Sequence, residues 1–539
     1  MHFSIACIVE ACIAIRCLPK GIQIHAEIAR KSFLENNALL GTSLVHMYAK
    51  CDAIGKARES FDRILSRDLA SWNVVIGAYV RVGLGYESIS CFERSKCESF
   101  APSAITFVCV LKACGSLRDE QKGHEIHAQI VALGLVEKNV LVGNAIVSMY
   151  AKCGVIGKAQ EVFDQIQFRT IVSWTSLVGA YTQHGHGEEA FKCFRLMQCE
   201  GISPNKVTFI YILKACGDAG ALQHGQQTHA HIIRQLGFLG NDILIGNALI
   251  DMYAKCGWLQ EAHQMFDEIL VHDLVSWNVL IAGYAEHSHY SNEEAFHCFE
   301  RMQCESFAPN SFTFVCILKA CGRVGSINKG NILHLQILQH GFLHKDTLVG
   351  NALVDMYAKC GLPRKAHKVF DELWVRDVFS WTMLLAGYAH QGSIDIVIGL
   401  FNTMIREDIE PSVVTFTMIL TTCSHSGLLE KGQMFLEIMR KGYETIPTLE
   451  HYTCLVDLFG RAGNFDKVIR ILEKMPTCNY IPTWIALLSA CRKWGNPELG
   501  EMACEHAIQL LKNFPRVSIC MNKIYEANSV EEEWRFRNN

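Results

Sequence analysis

Three sets of side chains in this sequence have types and spacings that chemistry could use. Lys255-Cys256, in the stretch ALIDMYAKCG, sets an ammonium beside a thiol, an arrangement that lowers a cysteine pKa and makes a nucleophile. His25-Ala26-Glu27 is an H-x-E tripeptide. Joined to a P-C-x-x-C element, it would supply three zinc ligands and a proton-shuttling glutamate for hydrolytic deamination of a base. The third set is a series of Asn, Asp, Thr and Ser embedded in apolar stretches, such as Asn247 in IGNALIDMY. Between them such side chains supply hydrogen-bond donors and acceptors and can identify the edge of a base.

The first two readings fail on the rest of the chain. The cysteine phrase recurs as SLVHMYAKC, AIVSMYAKC, ALIDMYAKC and ALVDMYAKC, with a degenerate CLVDLFGRA, at steps of 102, 103, 104 and 102 residues. A nucleophile has no reason to recur at a fixed period, whereas a structural repeat does. A second cysteine series, Cys12, Cys114, Cys216, Cys321 and Cys423, mostly ends the phrase LKAC. The 24 cysteines therefore read mainly as small apolar packing residues kept reduced. His25 is followed at the same phase by His127, His229 and His334, and no two cysteines are separated by two residues. Without a C-x-x-C element no deaminase zinc site can be assembled, and neither a metal nor a cofactor is expected.

The elements that carry the third set are helical hairpins. Between 206 and 310 the period resolves into three units, 206–242, 243–273 and 274–310, each with two apolar-periodic segments around a glycine-containing turn. In the middle unit Ala248, Leu249, Met252 and Tyr253 of the first helix, and Ala262, Met265, Phe266 and Ile269 of the second, are expected to face neighbours. Asp242, Asp273 and Asn310 at the unit boundaries suit helix N-caps. The same phase places units at 2–37, 38–68, 69–103, 104–139, 140–170, 171–205, 311–346, 347–377, 378–412, 413–448 and 449–480. One extra residue falls near Gln235 and two within His287–Asn292. No hairpin of this size buries its apolar face alone, so the fold class is all-α, a right-handed α-solenoid of stacked hairpins. A chain that begins inside the array at His2 is expected to lack its natural amino end. A net charge of −4 argues against holding a polyanion by bulk charge. No apolar run approaches the roughly 18 residues that span a bilayer, so no membrane partner is expected.

VSWNVLIAGYA, FTFVCILKACG and VGNALVDMYAKCG, each repeated in order, resemble the pentatricopeptide repeat proteins of land plants, in the class that rotates repeats of three lengths. The fixed 34-residue period of the tetratricopeptide repeat does not match this rotation. The resemblance covers residues 2–480, about 14 repeats. Residues 481–514 resemble the E-type extension of that class, and 515–539 a truncated remnant beyond it. The family reads single-stranded RNA one base per repeat, through the fifth and last residues of a unit. Carried onto this sequence, the resemblance implies the pairs Thr42/Asp68, Asn73/Ser103, Asn144/Thr170, Thr175/Asn205, Asn247/Asp273, Asn278/Asn310, Asn351/Asp377 and Thr382/Ser412. The last residues also suit helix caps. Asn and Thr inside a first helix cost helix propensity, which capping does not explain. The family's rules imply a ligand reading, 5′ to 3′, G-C-n-Y-A-n-U-Y-n-U and then a purine. The gaps fall where Val108, Ile210 and Val315 occupy the fifth position, and Thr417/Thr448 and Thr453/Tyr480 depart from the rules. Lys50, Lys152, Lys255, Lys359 and Arg461 recur near the end of the short units' first helices, either as phosphate contacts or as cations at a helix C-terminus.

Members of this class direct C-to-U editing of organellar transcripts, and many end in a zinc deaminase domain that this sequence lacks. The resemblance therefore implies a non-catalytic RNA-binding specificity factor of the mitochondrion or chloroplast. It would recruit a deaminase or accessory editing factors in trans, through 481–514. The alternatives are a binder that stabilises, splices or promotes translation of its target, a protein-binding scaffold of the tetratricopeptide kind, and a truncated form of a deaminase.

Overall fold

The computed structural model describes Ala11, Ile15 and residues 17–30, 38–64, 67–237, 242–287, 292–477 and 479–510. The described residues form helices and connecting turns, without a strand. The chain divides into two compact units, Met1–Ser276 and Trp277–Asn539. Within each, helical hairpins stack on their sequence neighbours, as an α-solenoid requires. No helix among the described residues is long and apolar enough to cross a membrane.

First helices begin where the repeat phase predicts: Leu69–Val82, Ala104–Leu117, Ile171–Gln183 and Lys206–Ala219 in one compact unit, and Ser311–Val324, Val378–His390 and Val413–Ser426 in the other. The cause is a reciprocal cap at each start. Asp68 accepts from the Ser71 backbone N–H at 2.8 Å while the Asp68 N–H donates to Ser71 Oγ at 3.0 Å. Ser103/Thr106, Thr170/Ser173, Asn205/Thr208, Asn310/Thr313, Asp377/Ser380 and Ser412/Thr415 repeat that box. It satisfies donors that a helix start leaves orphaned. The far ends close on left-handed residues. Gly154 sits at φ +84° and Gly325 at φ +72°, where a side chain would be strained.

The repeated phrases are the two sides of one contact. Gly217 of LKACG lies where the Lys255 stem and the Met252 backbone pass, and a Cβ there would stand 3.1 Å from Lys255 Cδ and 3.3 Å from Met252 Cα. Gly115 accommodates Lys152 and Gly322 accommodates Lys359 in the same way. Cys114, Cys216 and Cys321 are wholly buried beside these glycines, and Cys423 is wholly buried beside Ser424. Burial pushes the Cys114 and Cys216 thiols up to about 12. Cys256 is also raised, by burial first and then by the Asp251 carboxylate. The thiol beside Lys255 is a packing group, and its reactivity is suppressed rather than enhanced.

A second joint uses aromatic edges. Phe61 meets Trp72 edge-on at 4.8 Å, Phe163 meets Trp174 at 4.7 Å, and Phe370 meets Trp381 at 4.7 Å. A guanidinium (Arg67, Arg169 or Arg376) covers each phenylalanine ring and also reaches Glu98, Glu200 or Glu407 at the end of the following unit's second helix. His272 replaces the arginine once and lies flat on Phe266, with ring centroids 4.0 Å apart.

A third joint settles the histidine series. His25, His127, His229 and His334 place Nδ1 2.8, 2.9, 3.0 and 3.1 Å from the hydroxyls of Tyr48, Tyr150, Tyr253 and Tyr357. Burial is the first cause lowering each of these imidazole pKa values. Since the folded pKa lies below the unfolded value of about 6.5, the folded state disfavours the proton. This contribution to stability is complete above pH 6.5 and falls as pH drops below it. The melting temperature is expected to be lower at pH 5.5 than at pH 7.5, and His229→Gln should reduce that difference in a thermal scan.

Two local features depart from the sequence reading. The units 104–139 and 311–346 each carry a third, one-turn helix, Leu135–Lys138 and Phe342–Lys345, entered through left-handed Gly134 and Gly341. Ala248 is half-exposed, while Ile245, Gly246 and Asn247 take the buried face with Leu249 and Met252. The extra residue near Gln235 lies at the end of the helix Leu222–Leu236, of 15 residues against 13 for Glu120–Ala132. The insertion within His287–Asn292 and the segment 515–539 lie outside the described residues, as do most of the first unit's opening residues. Residues 481–510 form one more hairpin, Ile481–Trp494 and Pro497–Leu510, against the helix Leu449–Arg461.

Candidate nucleic-acid interface

The fifth residue of each unit sits one turn and a half into its first helix. The last residue caps the next first helix, so adjacent stacked helices bring the two together. Asn73 Nδ2 donates to Ser103 Oγ at 3.3 Å, and Asn247 Nδ2 to Asp273 Oδ1 at 3.2 Å. Asn278 Nδ2 donates to Asn310 Oδ1 at 3.4 Å, and Asn351 Nδ2 to both Asp377 oxygens at 3.0 and 3.2 Å. Two pairs are joined through a threonine: Thr175 to Thr208 at 2.7 Å, with Thr208 on Asn205, and Thr382 to Thr415 at 2.9 Å, with Thr415 on Ser412. Asn144 is buried near its partner's helix, with Thr170 capping that helix through Ser173. Thr42 is half-buried, and Asp68 caps through Ser71.

Burial alone would raise the Asp273 carboxyl. Hydrogen bonds from the Ser276 backbone and hydroxyl and from Asn247 outweigh it and hold Asp273 below the ordinary carboxylate value. It is an ionised acceptor that holds Asn247 Nδ2 in place. The opposite amide atom is left over. Oδ1 of Asn144, Asn247 and Asn351 is buried without a hydrogen-bond partner among the described residues. An unmet acceptor of that kind costs about 1–3 kcal/mol. The same position thus leaves an acceptor unmet in three units.

A groove of about 300 Å³ is lined by Thr175, Asn205, Lys152, Val172, Val207 and Tyr211, and one of about 630 Å³ by Asn351, Lys359, Phe312, Leu348 and Phe379. These linings reveal residues that the sequence reading missed. Leu141, Val172, Val207 and Leu244, and in the other compact unit Phe312, Leu348, Phe379 and Val414, are all exposed. Each is the second residue of its unit. A solvated helix face does not carry a large apolar residue at the same place in eight units. The signal was present as a recurrent apolar second position, from which Glu450 departs, and it was hidden because these first helices are apolar on most faces. Val108, Ile210 and Val315 are half-exposed apolar side chains at the fifth position. Thr417 is engaged by His451 at 3.2 Å, and Thr453 by Thr483 at 2.6 Å.

The five basic residues divide. Lys255 pairs with Asp218 at 2.8 Å and Asp251 at 2.9 Å, Lys359 with Asp355 at 2.6 Å, and Arg461 with Asp457 at 2.8 Å. Lys50 and Lys152 have no carboxylate partner among the described residues, since His46 and Ser148 stand where the others have aspartate. His25 and Glu27 form no part of a metal cluster: among the described residues no three His, Cys, Asp or Glu side chains are grouped to hold one.

Fold and site together define a helical-repeat protein that presents a regular series of paired polar side chains flanked by exposed apolar ones. The PPR repeat family matches residues 169–218, 272–323 and 376–425, and the PPR repeat matches 70–100, 144–170, 247–274, 351–378 and 450–480. A mitochondrial pentatricopeptide repeat-containing protein of Arabidopsis thaliana is 32% identical over 520 residues, covering 96% of this chain and 74% of its own length. The chloroplastic protein DOT4 of the same plant is 36% identical over 537 residues, and the chain spans 61% of DOT4's length. The chain belongs to the pentatricopeptide repeat family. The fold is similar to that of PPR10 from maize, with a TM-score of 0.55 at 17% identity, covering 99% of this chain and 88% of that one. It is similar as well to PPR10 in complex with an 18-nt psaJ RNA element, with a TM-score of 0.57 at 16% identity, covering 98% and 82%.

Proposed function

We propose that this protein binds single-stranded RNA in a sequence-specific manner, with one base at each short and 35-residue unit. The observation that carries the reading is the recurrent orphan oxygen of Asn144, Asn247 and Asn351, in helices whose second residues are exposed and apolar, with Asn351 lining a groove beside Leu348 and Phe379. A base supplies the missing donor on its edge and offers its face to the apolar ladder, as bases stacked on protein side chains do. The RNA-bound state of the similarly folded PPR10 supports the same ligand class. Relatives named as chloroplastic or mitochondrial support action in a plant organelle.

Within that role we place the chain as a specificity factor for C-to-U editing that carries no catalytic step itself. The hairpin 481–510 is the E-type surface on which a deaminase or accessory factor docks in trans. Sequencing organellar transcripts from a knockout tests this: loss of C-to-U conversion at defined sites supports it. Unchanged editing with altered transcript abundance or splicing would favour the non-editing alternative.

RNA binding itself is tested with two variants. Asn247→Ala is expected to cost about 1–3 kcal/mol against the cognate RNA and to relax one position. Lys152→Ala is expected to weaken all RNAs alike and to flatten the salt dependence. Lys255→Ala is expected to weaken binding less than Lys152→Ala, because its charge is already met within the chain. Affinities by fluorescence anisotropy at two salt concentrations check all three, and sequence-neutral effects of both Asn247→Ala and Lys152→Ala would sink the reading.

A further inference from the structure

The third residue of the first helix that follows a reading residue takes one of two types. That residue is threonine in the units opening at 104, 206, 311 and 413, and serine in those opening at 69, 171, 274 and 378. Either hydroxyl accepts from the cap N–H behind it, so its single proton decides the rest. Thr106 donates to Asn73 Oδ1 at 2.5 Å, and Thr313 makes the shorter of its two contacts with Asn278 Oδ1, at 2.6 Å. Ser276 donates to Asp273 Oδ1 at 2.9 Å, and Ser380 to the Asp377 carbonyl at 2.8 Å. Ser173 pairs with Thr170 at 3.1 Å. Where the last residue is aspartate, the serine proton stays on that residue, on the carboxylate at Asp273 and nearest the backbone carbonyl at Asp377.

We infer that this hydroxyl sets the polarity of the preceding reading amide and thereby decides between cytosine and uracil. The inference rests on the base-reading role proposed above. Asn73 and Asn278 have Oδ1 occupied and one Nδ2 hydrogen committed, which leaves an N–H to offer. Asn144, Asn247 and Asn351 keep an open Oδ1, and in the latter two Nδ2 is held by aspartate. The pyrimidines differ at ring N3, which is an acceptor in cytosine and an N–H donor in uracil. A donating amide matches cytosine, an accepting one matches uracil, and the wrong pairing sets two like groups against each other. The two positions left as either pyrimidine are therefore assigned: Asn278 reads cytosine and Asn144 reads uracil.

The test uses the full chain and synthetic RNAs of the order given above, with cytidine or uridine opposite Asn278 and, separately, opposite Asn144. About a tenfold preference for cytidine at the first and for uridine at the second is expected. An RNA carrying the riboside of 2-pyrimidinone opposite Asn278 keeps the N3 acceptor without the amino group and should bind as cytidine does. Thr313→Val removes the proton and frees Oδ1, so the preference there should turn to uridine while that opposite Asn247 stays unchanged. Thr106→Val makes the same change in the other compact unit, should the first variant fold poorly. Equal binding of cytidine and uridine opposite Asn278, loss of affinity with 2-pyrimidinone, or a persistent cytidine preference in a folded Thr313→Val or Thr106→Val protein overturns the inference while base reading stands. If the ordered RNA binds no better than a scrambled one, base reading itself fails.

Discussion

Trp381→Ala is expected to destabilise the second compact unit by about 3–5 kcal/mol. The indole is 2% exposed and meets Phe370 edge-on at 4.7 Å, under the Arg376 guanidinium that covers the Phe370 ring. Its loss opens a cavity at the joint between 347–377 and 378–412, and repeats of this kind transmit stability only through such nearest-neighbour joints. Unfolding should therefore become local. Hydrogen exchange should accelerate across these two units first, and the Asn351/Asp377 pair, which spans the same joint, should lose its geometry. Trp374→Ala in the same region is the control. That ring is 78% exposed and rests on His344, so its removal should shift stability by about 0.5 kcal/mol or less. Similar effects of the two substitutions on denaturant unfolding would contradict the packing account.

Asn351→Thr is expected to change which base is preferred opposite unit 347–377, with little effect on folding. The substitution creates a Thr–Asp pair like Thr42/Asp68, to which the family's rules assign guanine where Asn/Asp has uracil. The swap removes the amide that Asp377 holds and leaves a short hydroxyl in a groove of about 630 Å³, which has room for the larger purine. A single well-read base is worth about 1–3 kcal/mol, so the ratio of affinities for RNAs with guanosine and uridine at that one position should invert by roughly ten- to a hundredfold. An unchanged ratio would show that Asn351 does not face the base.

Register was the most legible feature of this chain. Asp68, Ser103, Asn205, Asn310, Asp377 and Ser412 are followed three residues later by Ser or Thr, and that pattern sets a helix start within a residue. The hairpins, the buried cysteine series and the structural role of His25 followed from phase alone. Other features needed the third dimension. The ion pair of Lys255 with Asp218 joins residues far apart in sequence, and no periodicity marks it. Phe312 and Phe379 belong to helices that are apolar on nearly every face, so the pattern does not separate an inward ring from an outward one. The one-turn helices after Gly134 and Gly341 are shorter than any periodic signal. The contacts of Thr106 with Asn73 and of Thr313 with Asn278 likewise join separate units and leave no periodic mark.

The most direct test of the central claim is selection from a random-sequence RNA pool by the purified protein, followed by sequencing of the bound fraction. The account predicts enrichment of G-C-n-Y-A-n-U-Y-n-U, with tolerance where Val108, Ile210 and Val315 stand and U and C at the two Y positions in that order. Bound RNAs that share no positional preference, or whose retention depends only on length and salt, would contradict it.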